Sequence, residues 1–271
     1  MSDYKVPRVV DQPGLPVIAI PTTAGTGSEV SRATVITNEL SDEKMRCMGN
    51  GFVPVAALVD YELTLTVPPR TTADTAIDSL THAIEAYVSR KASPFTDAQA
   101  IQAMGLIAPN LRRVFDQPEN RDAREAVMLG ATLAGIAFSN ASVALVHGMS
   151  RPIGAFFHVP HGLSNAMLLP AVTRYSIVGN ERRYAGCARA MAVAGATDSD
   201  HQATQKLLLE LDAINNDLRV PTLAEFGVSK ASFDDALELM VQQALASGSP
   251  SNNPRIPSAD EIRQIYLQLW A

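Results

Sequence analysis

The sequence predicts a mainly α protein, an all-helical domain over residues 68–271 preceded by a short β-containing segment over residues 1–67. Two observations carry this reading. Before Pro68 the chain alternates short β-branched runs with Gly/Thr/Ser loops; after Pro69 it turns into long Ala- and Leu-rich stretches with helical spacing. The double proline Pro68-Pro69 falls between the two textures, and a proline disfavours helix at the residue before it, so it marks the boundary. With 271 residues and 46% hydrophobic content the chain can build a core, and it holds no internal repeat or low-complexity tract.

The elements follow in order. PVIAI over 16–20 reads as a short buried strand, followed by the loop TTAGTGSE over 22–29. β-Branched residues in VSRATVIT, a segment over 44–48 and VAALVD over 55–60 supply further strands. Helical spacing then predicts helices over 71–89, 94–115, 121–140, 144–157, 163–177, 181–193, 201–218, 231–246 and 258–270. The last is opened by Ser258 with Glu261 three residues on, a capping-box signature.

Composition excludes several classes. Acidic residues outnumber basic ones 28 to 22, giving a formal net charge of -6, and no run of Lys or Arg exceeds two. That argues against a nucleic-acid surface and for small-molecule partners. Cys47 and Cys187 are far apart and lack C-x-x-C spacing, which points to a reducing cytoplasm rather than a disulfide framework or thiolate metal site. The first fourteen residues hold no apolar run suited to a signal peptide. Residues 126–150 lack Asp, Glu, Lys and Arg over a length that could span a bilayer. Thr132, Ser139, Asn140 and Ser142 interrupt them, His147 lies among them, and orienting charged flanks are missing, so they read as buried helix and not as a membrane segment.

The chemistry gathers at one carboxylate and three imidazoles. Asp78 and His82 are four apart in a predicted helix and therefore leave one face a turn apart. His147 and His161 flank a short apolar segment that ends in Pro160, and each is followed by a glycine that lets chain segments approach closely. Taken alone, the Asp78/His82 pair is equally well a helix-start carboxylate beside a satisfied histidine; the two further histidines tilt the reading to a divalent metal site. Three nitrogens and one oxygen accept Fe2+ or Zn2+. His158 is open between ligand, proton relay and surface residue, and His201 reads as solvated. TTAGTGSE is neither G-x-G-x-x-G nor a Walker loop and, on local evidence, reads as an ordinary turn. A metal-dependent hydrolase lacks the H-E-x-x-H it would need; Glu85 reads as a helix-surface group or a partner to a metal-binding histidine.

IAIPTTAGTGSE, DSLTHAIEAY, ALVHGMSRPIGAFFHVPHG and SNNPRIPSADEI, in this order and spacing, resemble the iron-containing (group III) alcohol dehydrogenase family over nearly the whole chain. The resemblance implies an all-helical domain that holds a divalent metal through Asp78, His82, His147 and His161. It implies that the β-containing segment is the remnant of an α/β dinucleotide-binding domain. NAD or NADP would lie between the domains, near Thr22, Thr23, Gly25, Thr26 and Ser31 of the Thr/Gly loop, with Lys44 as a cofactor-contacting lysine. Iron, with zinc as a possible replacement, a small alcohol or aldehyde substrate and a homodimer or larger homo-oligomer are the further expectations.

Two departures qualify the resemblance. The family's nucleotide-binding part, with a Gly-Gly-Gly-Ser phosphate loop, would precede Pro16, where only fifteen residues stand, so the sequence reads as a fragment or shortened product. A non-catalytic helical metal-binding or oligomerising chain is therefore the alternative. Second, Arg151 stands where several family members carry a histidine that assists proton transfer. The relay then falls to His158 or a water chain, because a guanidinium holds its proton near neutral pH. Arg151 itself either anchors an anionic substrate, such as a hydroxy acid or semialdehyde, or pairs with an acid on a neighbouring helix.

Overall fold

Residues 2–38 and 43–270 are described by the computed structural model of the chain. Near the N-terminus β1 (Ile18–Ala19) pairs in parallel with β4 (Ala56–Ala57), Ile18 opposite Ala56. Between them β2 (Ala33–Asn38) pairs antiparallel with β3 (Glu43–Met48), Ala33 opposite Met48. The helices are α1 (Pro69–Val88), α2 (Pro94–Ile107), α3 (Leu111–Asp116), α4 (Arg121–Ala141), α5 (Leu145–Phe157), α6 (His161–Ser176), α7 (Glu181–Ala190), α8 (Asp200–Asp217), α9 (Lys230–Ala246) and α10 (Ala259–Gln268). The fold is thus mainly α, with a short β-containing segment ahead of an all-helical body.

α1 is the hub. Fifteen of its 20 residues are buried, polar ones among them, as it packs against α2, α4 and α6. Pro69 at its first position suits a helix start, where the missing N–H is no loss. Its buried set includes Asp78, Ser79, Thr81, His82 and Glu85. Polar groups in such a place need partners, and those partners define the centre described below. The closing SNNP segment is structural: Asn252 Nδ2 donates to the Val143 carbonyl and Asn253 Nδ2 to Ser176 Oγ, which ties the α4–α5 turn and the end of α6 to one loop. The Tyr266 hydroxyl of α10 donates to the Met149 carbonyl of α5 at 2.7 Å.

Three expectations need correction. The helix over 94–115 is broken by a 3-10 turn over Ala108–Asn110, because Pro109 has no N–H to continue the ladder. Residues 126–150 are not one helix: α4 and α5 meet at 103°, and the turn puts Ser142 at φ 65. Among the described residues no single helix is long and apolar enough to cross a membrane. Finally, PVIAI is not a buried strand here. Val17, Ile18 and Ile20 are exposed, as are Val55 and Leu58, so the two-stranded parallel pair lacks the cover that buries a parallel strand.

The Ser258/Glu261 capping box forms as expected, and Ser93/Thr96 and Ser199/Gln202 open α2 and α8 in the same way. Glu261 does more than cap. The Ser258 N–H and the Tyr175 hydroxyl bond its carboxylate, Arg255 pairs with it, and together they hold its pKa down at about 2 against an ordinary 4.5. A depressed folded-state pKa contributes stability above the unfolded value that disappears as pH falls through the folded one. The difference in urea midpoint between wild type and Glu261→Gln should therefore be full at pH 7, shrink below pH 4.5 and vanish as pH approaches about 2. A pH-independent difference would show that Glu261 acts by packing.

Candidate metal centre

Three helices deliver the predicted residues to one buried point. Asp78 and His82 come from the middle of α1, His147 from the first turn of α5 and His161 from the first residue of α6. The glycines that follow the two later histidines make this approach possible. A Cβ on Gly162 would stand 2.4 Å from the Asp74 carbonyl oxygen of α1, and one on Gly148 would stand 2.9 Å from Pro250. Any side chain at Gly162 would push α6, and His161 with it, away from Asp78.

Asp78 Oδ1 lies 3.4 Å from His147 Nε2, 3.8 Å from His161 Nε2 and 3.9 Å from His82 Nε2. Donor atoms at about 2.1 Å around a tetrahedral cation are about 3.4 Å apart, so the spacing suits a divalent ion. Asp78, His147 and His161 form the tight group. His82 stands beside it, its ring stacked between Phe138 of α4 at 4.3 Å and His147 at 4.5 Å. Asp78, His82 and His147 are buried, whereas the His161 side chain is half exposed, which opens the centre on one side.

Two residues complete the arrangement. Glu85, one turn beyond His82, accepts from His147 Nδ1 at 2.6 Å and from the backbone N–H groups of Ala144 and Val146 at 2.9 and 2.6 Å. It thereby caps the start of α5 and fixes the His147 tautomer, leaving Nε2 free to face Asp78. The helix-surface reading of Glu85 is thus wrong and the histidine-partner reading right. Asn165, missed in the sequence, lies four residues after His161 on the same face of α6. Its Nδ2 is 2.6 Å from Asp78 Oδ1, 3.2 Å from His147 Nε2 and 3.3 Å from His161 Nε2, while its Oδ1 has no partner. One amide nitrogen has two hydrogens for these three acceptors. A cation satisfies all three at once, and the donor set therefore fits a divalent metal.

The electrostatics agree at Asp78 and His82, whereas at His147 a cation must displace a proton. Burial alone would raise the Asp78 carboxyl, but His82, His161 and His147 outweigh it and hold it well below the usual carboxylate range. Burial presses His82 down to about 3 against the pull of Asp78, keeping it a neutral imidazole fit to ligate. His147 is the reverse: burial would lower it, but Glu85 and Asp78 hold it up at about 9.

The other predicted residues separate into groups. Thr22 and Thr26 are exposed on the Thr/Gly loop and Thr23 is half-buried. Gly25 packs closely on α1: a Cβ there would meet Thr75 at 2.6 Å, and Ser79 Oγ donates to its carbonyl at 3.1 Å. The loop is neither a simple strand-to-strand turn nor free; it leans on α1 one turn before His82. Ser31 is buried and its Oγ accepts from the Ala33 N–H. Lys44 lies in β3, and its side chain is outside the described residues.

His158 caps the end of α5 at φ 55 and lines a groove with Phe156, Phe157 and Phe226 to which none of the four predicted ligands contributes. Arg151 has no acidic partner among the described residues; its Nη1 donates to Ser249 Oγ at 3.1 Å. The expected pairing with an acid on a neighbouring helix is not there.

The model of the Fe-containing alcohol dehydrogenase family, C-terminal, matches residues 72–270, and that of iron-containing alcohol dehydrogenase matches residues 1–61. The chain belongs to the iron-containing alcohol dehydrogenase family. It is 38% identical to a 1,3-propanediol dehydrogenase of Klebsiella pneumoniae, covering 100% of this chain and 69% of the relative. It is 37% identical to an NADPH-dependent butanol dehydrogenase of Clostridium saccharobutylicum, covering 92% of this chain and 63% of the relative. Among solved structures, a 1,3-propanediol oxidoreductase superposes with a TM-score of 0.93 at 36% identity, covering 99% of this chain and 69% of that one. This iron-containing alcohol dehydrogenase homologue thus spans about two thirds of the length of such relatives, and its class is that of an alcohol-linked oxidoreductase.

Proposed function

We propose that this chain carries the metal centre of an NAD(P)-linked alcohol dehydrogenase or aldehyde reductase, with Asp78, His82, His147 and His161 as the ligands of a divalent ion. The convergence of Asp78 Oδ1, His147 Nε2 and His161 Nε2 within 4.8 Å of one another on a buried point carries this reading. Iron is the ion the family description names, and the nitrogen-rich donor set also accepts zinc. Residues 68–271 are the catalytic helical domain in this reading, and residues 1–67 belong with the dinucleotide. Thr22, Thr23 and Thr26 are the hydroxyls we assign to the cofactor side; Gly25 and Ser31 shape the loop, and Lys44 follows it on β3.

A divalent ion in this donor set supplies Lewis acidity toward a carbonyl or hydroxyl oxygen. The chain's own residues supply the rest. Glu85 keeps His147 in the tautomer that turns Nε2 inward, and Phe138 holds the His82 ring plane. The burial of Asp78, His82 and His147 among α1, α5 and α6 keeps water from them, which strengthens every charge interaction between them. The open side at His161 is where substrate enters and where solvent exchanges the proton. Arg151 keeps its proton near neutral pH, so the relay falls to His158 or to water.

Titrating the metal-free chain with Fe2+ under argon, or with Zn2+, should give one site. The loaded protein should then oxidise NADH or NADPH with a short aldehyde. Metal binding without dinucleotide binding would show a non-catalytic helical metal-binding chain instead, and absence of metal binding would overturn the centre itself.

A further inference from the structure

Arg151 is four residues after His147 and so shares its face of α5, about 6 Å farther along the helix. Its guanidinium carries five N–H donors, of which the described residues engage Nη1 alone, through Ser249 Oγ. Arg46 of β3 lies near enough for its charge to be felt at Arg151, and no carboxylate pairs with either arginine among the described residues. The charge of Glu85 also reaches Arg151, but that carboxylate is committed to His147 and to two backbone N–H groups. Two part-buried like charges with no paired carboxylate among the described residues cost free energy, and an arriving anion offsets that cost. Burial and Arg46 lower the Arg151 pKa to about 10, which leaves it fully charged at neutral pH.

We propose that Arg151, backed by Arg46, is a specificity-determining anchor for a carboxylate on the substrate, so that the substrates are short carboxylate-bearing aldehydes and the matching hydroxy acids. The proposal rests on the dehydrogenase reading above. In the reducing direction the aldehyde carbon accepts a hydride, with its electron pair, from the dihydronicotinamide. The carbonyl oxygen takes a proton from water, giving the hydroxy acid and the oxidised nicotinamide; the carboxylate is unchanged. One helical turn between His147 and Arg151 suits a chain of a few carbons between the reacting carbon and the carboxylate.

The matched pair 4-oxobutanoate and butanal tests this with the metal-loaded chain and NADH or NADPH. Wild type should favour 4-oxobutanoate in kcat/KM by about 10- to 100-fold, the worth of a charge-assisted hydrogen bond. Arg151→Gln should bring that ratio close to one, and Arg151→Lys should restore part of it. A wild-type ratio near one, or a ratio that survives Arg151→Gln, overturns the proposal. So does a loss confined to NADH or NADPH affinity, which would assign the guanidinium to the cofactor's phosphates.

Calorimetric titration with 4-hydroxybutanoate and 1-butanol gives a readout independent of turnover. Tighter binding of the acid by wild type than by Arg151→Gln supports the anchor even if neither aldehyde turns over, an outcome that would sink the dehydrogenase reading alone. Equal binding of acid and alcohol by wild type overturns the anchor.

Discussion

Asp78→Asn will abolish the rise in thermal stability that a divalent ion gives the wild-type protein. An ion that binds the folded state alone stabilises it by about 2.7 kcal/mol at a hundredfold excess over its dissociation constant. For a domain of this size that is about 5–10 °C in Tm. Asp78 is the one carboxylate in the tight group, and its Oδ1 is the atom from which the three imidazole distances of 3.4, 3.8 and 3.9 Å are measured. Asparagine keeps the shape and removes the negative charge, leaving three neutral or partly charged rings with no anion to offset a dication in a buried place. Differential scanning calorimetry of both proteins, chelated and then loaded with Zn2+ or Fe2+, checks this. An Asp78→Asn protein that still gains the full wild-type shift would place the ion elsewhere.

Much of this was legible in the sequence because its causes are local. Helix positions followed from apolar spacing, the boundary from the double proline and the start of the last helix from its Ser cap, all of which act within a few residues. Asp78 and His82 could be paired from their spacing on one helix. The glycines after His147 and His161 announced close contacts without naming the partners, which proved to be the Asp74 backbone and Pro250.

What escaped depends on the third dimension. Asn165 is a single amide in LSNAM, and only its four-residue step from His161 hinted that both face one point. Glu85 shares a helix with His82, but nothing in the sequence says that the start of α5, sixty residues later, lands on its carboxylate. PVIAI has the apolar content of a buried strand, yet burial depends on what covers it. The acid expected beside Arg151 could not be tested by spacing, since it would have come from a distant element.

Glu85 is where folding and metal binding meet, and Glu85→Ala should damage both. Its carboxylate accepts three hydrogen bonds in a buried place, from Ala144 N, Val146 N and His147 Nδ1. Removing it strands two backbone donors at the start of α5 and an imidazole N–H that lose their acceptor without gaining water. Breaking such a buried charged contact costs about 3–5 kcal/mol. Losing the group that orients a metal-binding histidine weakens metal affinity by about 10- to 100-fold. Glu85→Gln separates the two effects. Its single carbonyl oxygen can take the Oε2 place, serving Ala144 N and His147 Nδ1, or the Oε1 place, serving Val146 N, but not both, and its NH2 then faces a donor. The fold should then lose less than with Ala while the negative charge beside His147 is gone, so metal affinity should fall more steeply than stability. Urea unfolding and metal titration on the same two variants measure both quantities. Wild-type metal affinity in Glu85→Gln would mean that packing against α1, and not the carboxylate, aims His147 at Asp78.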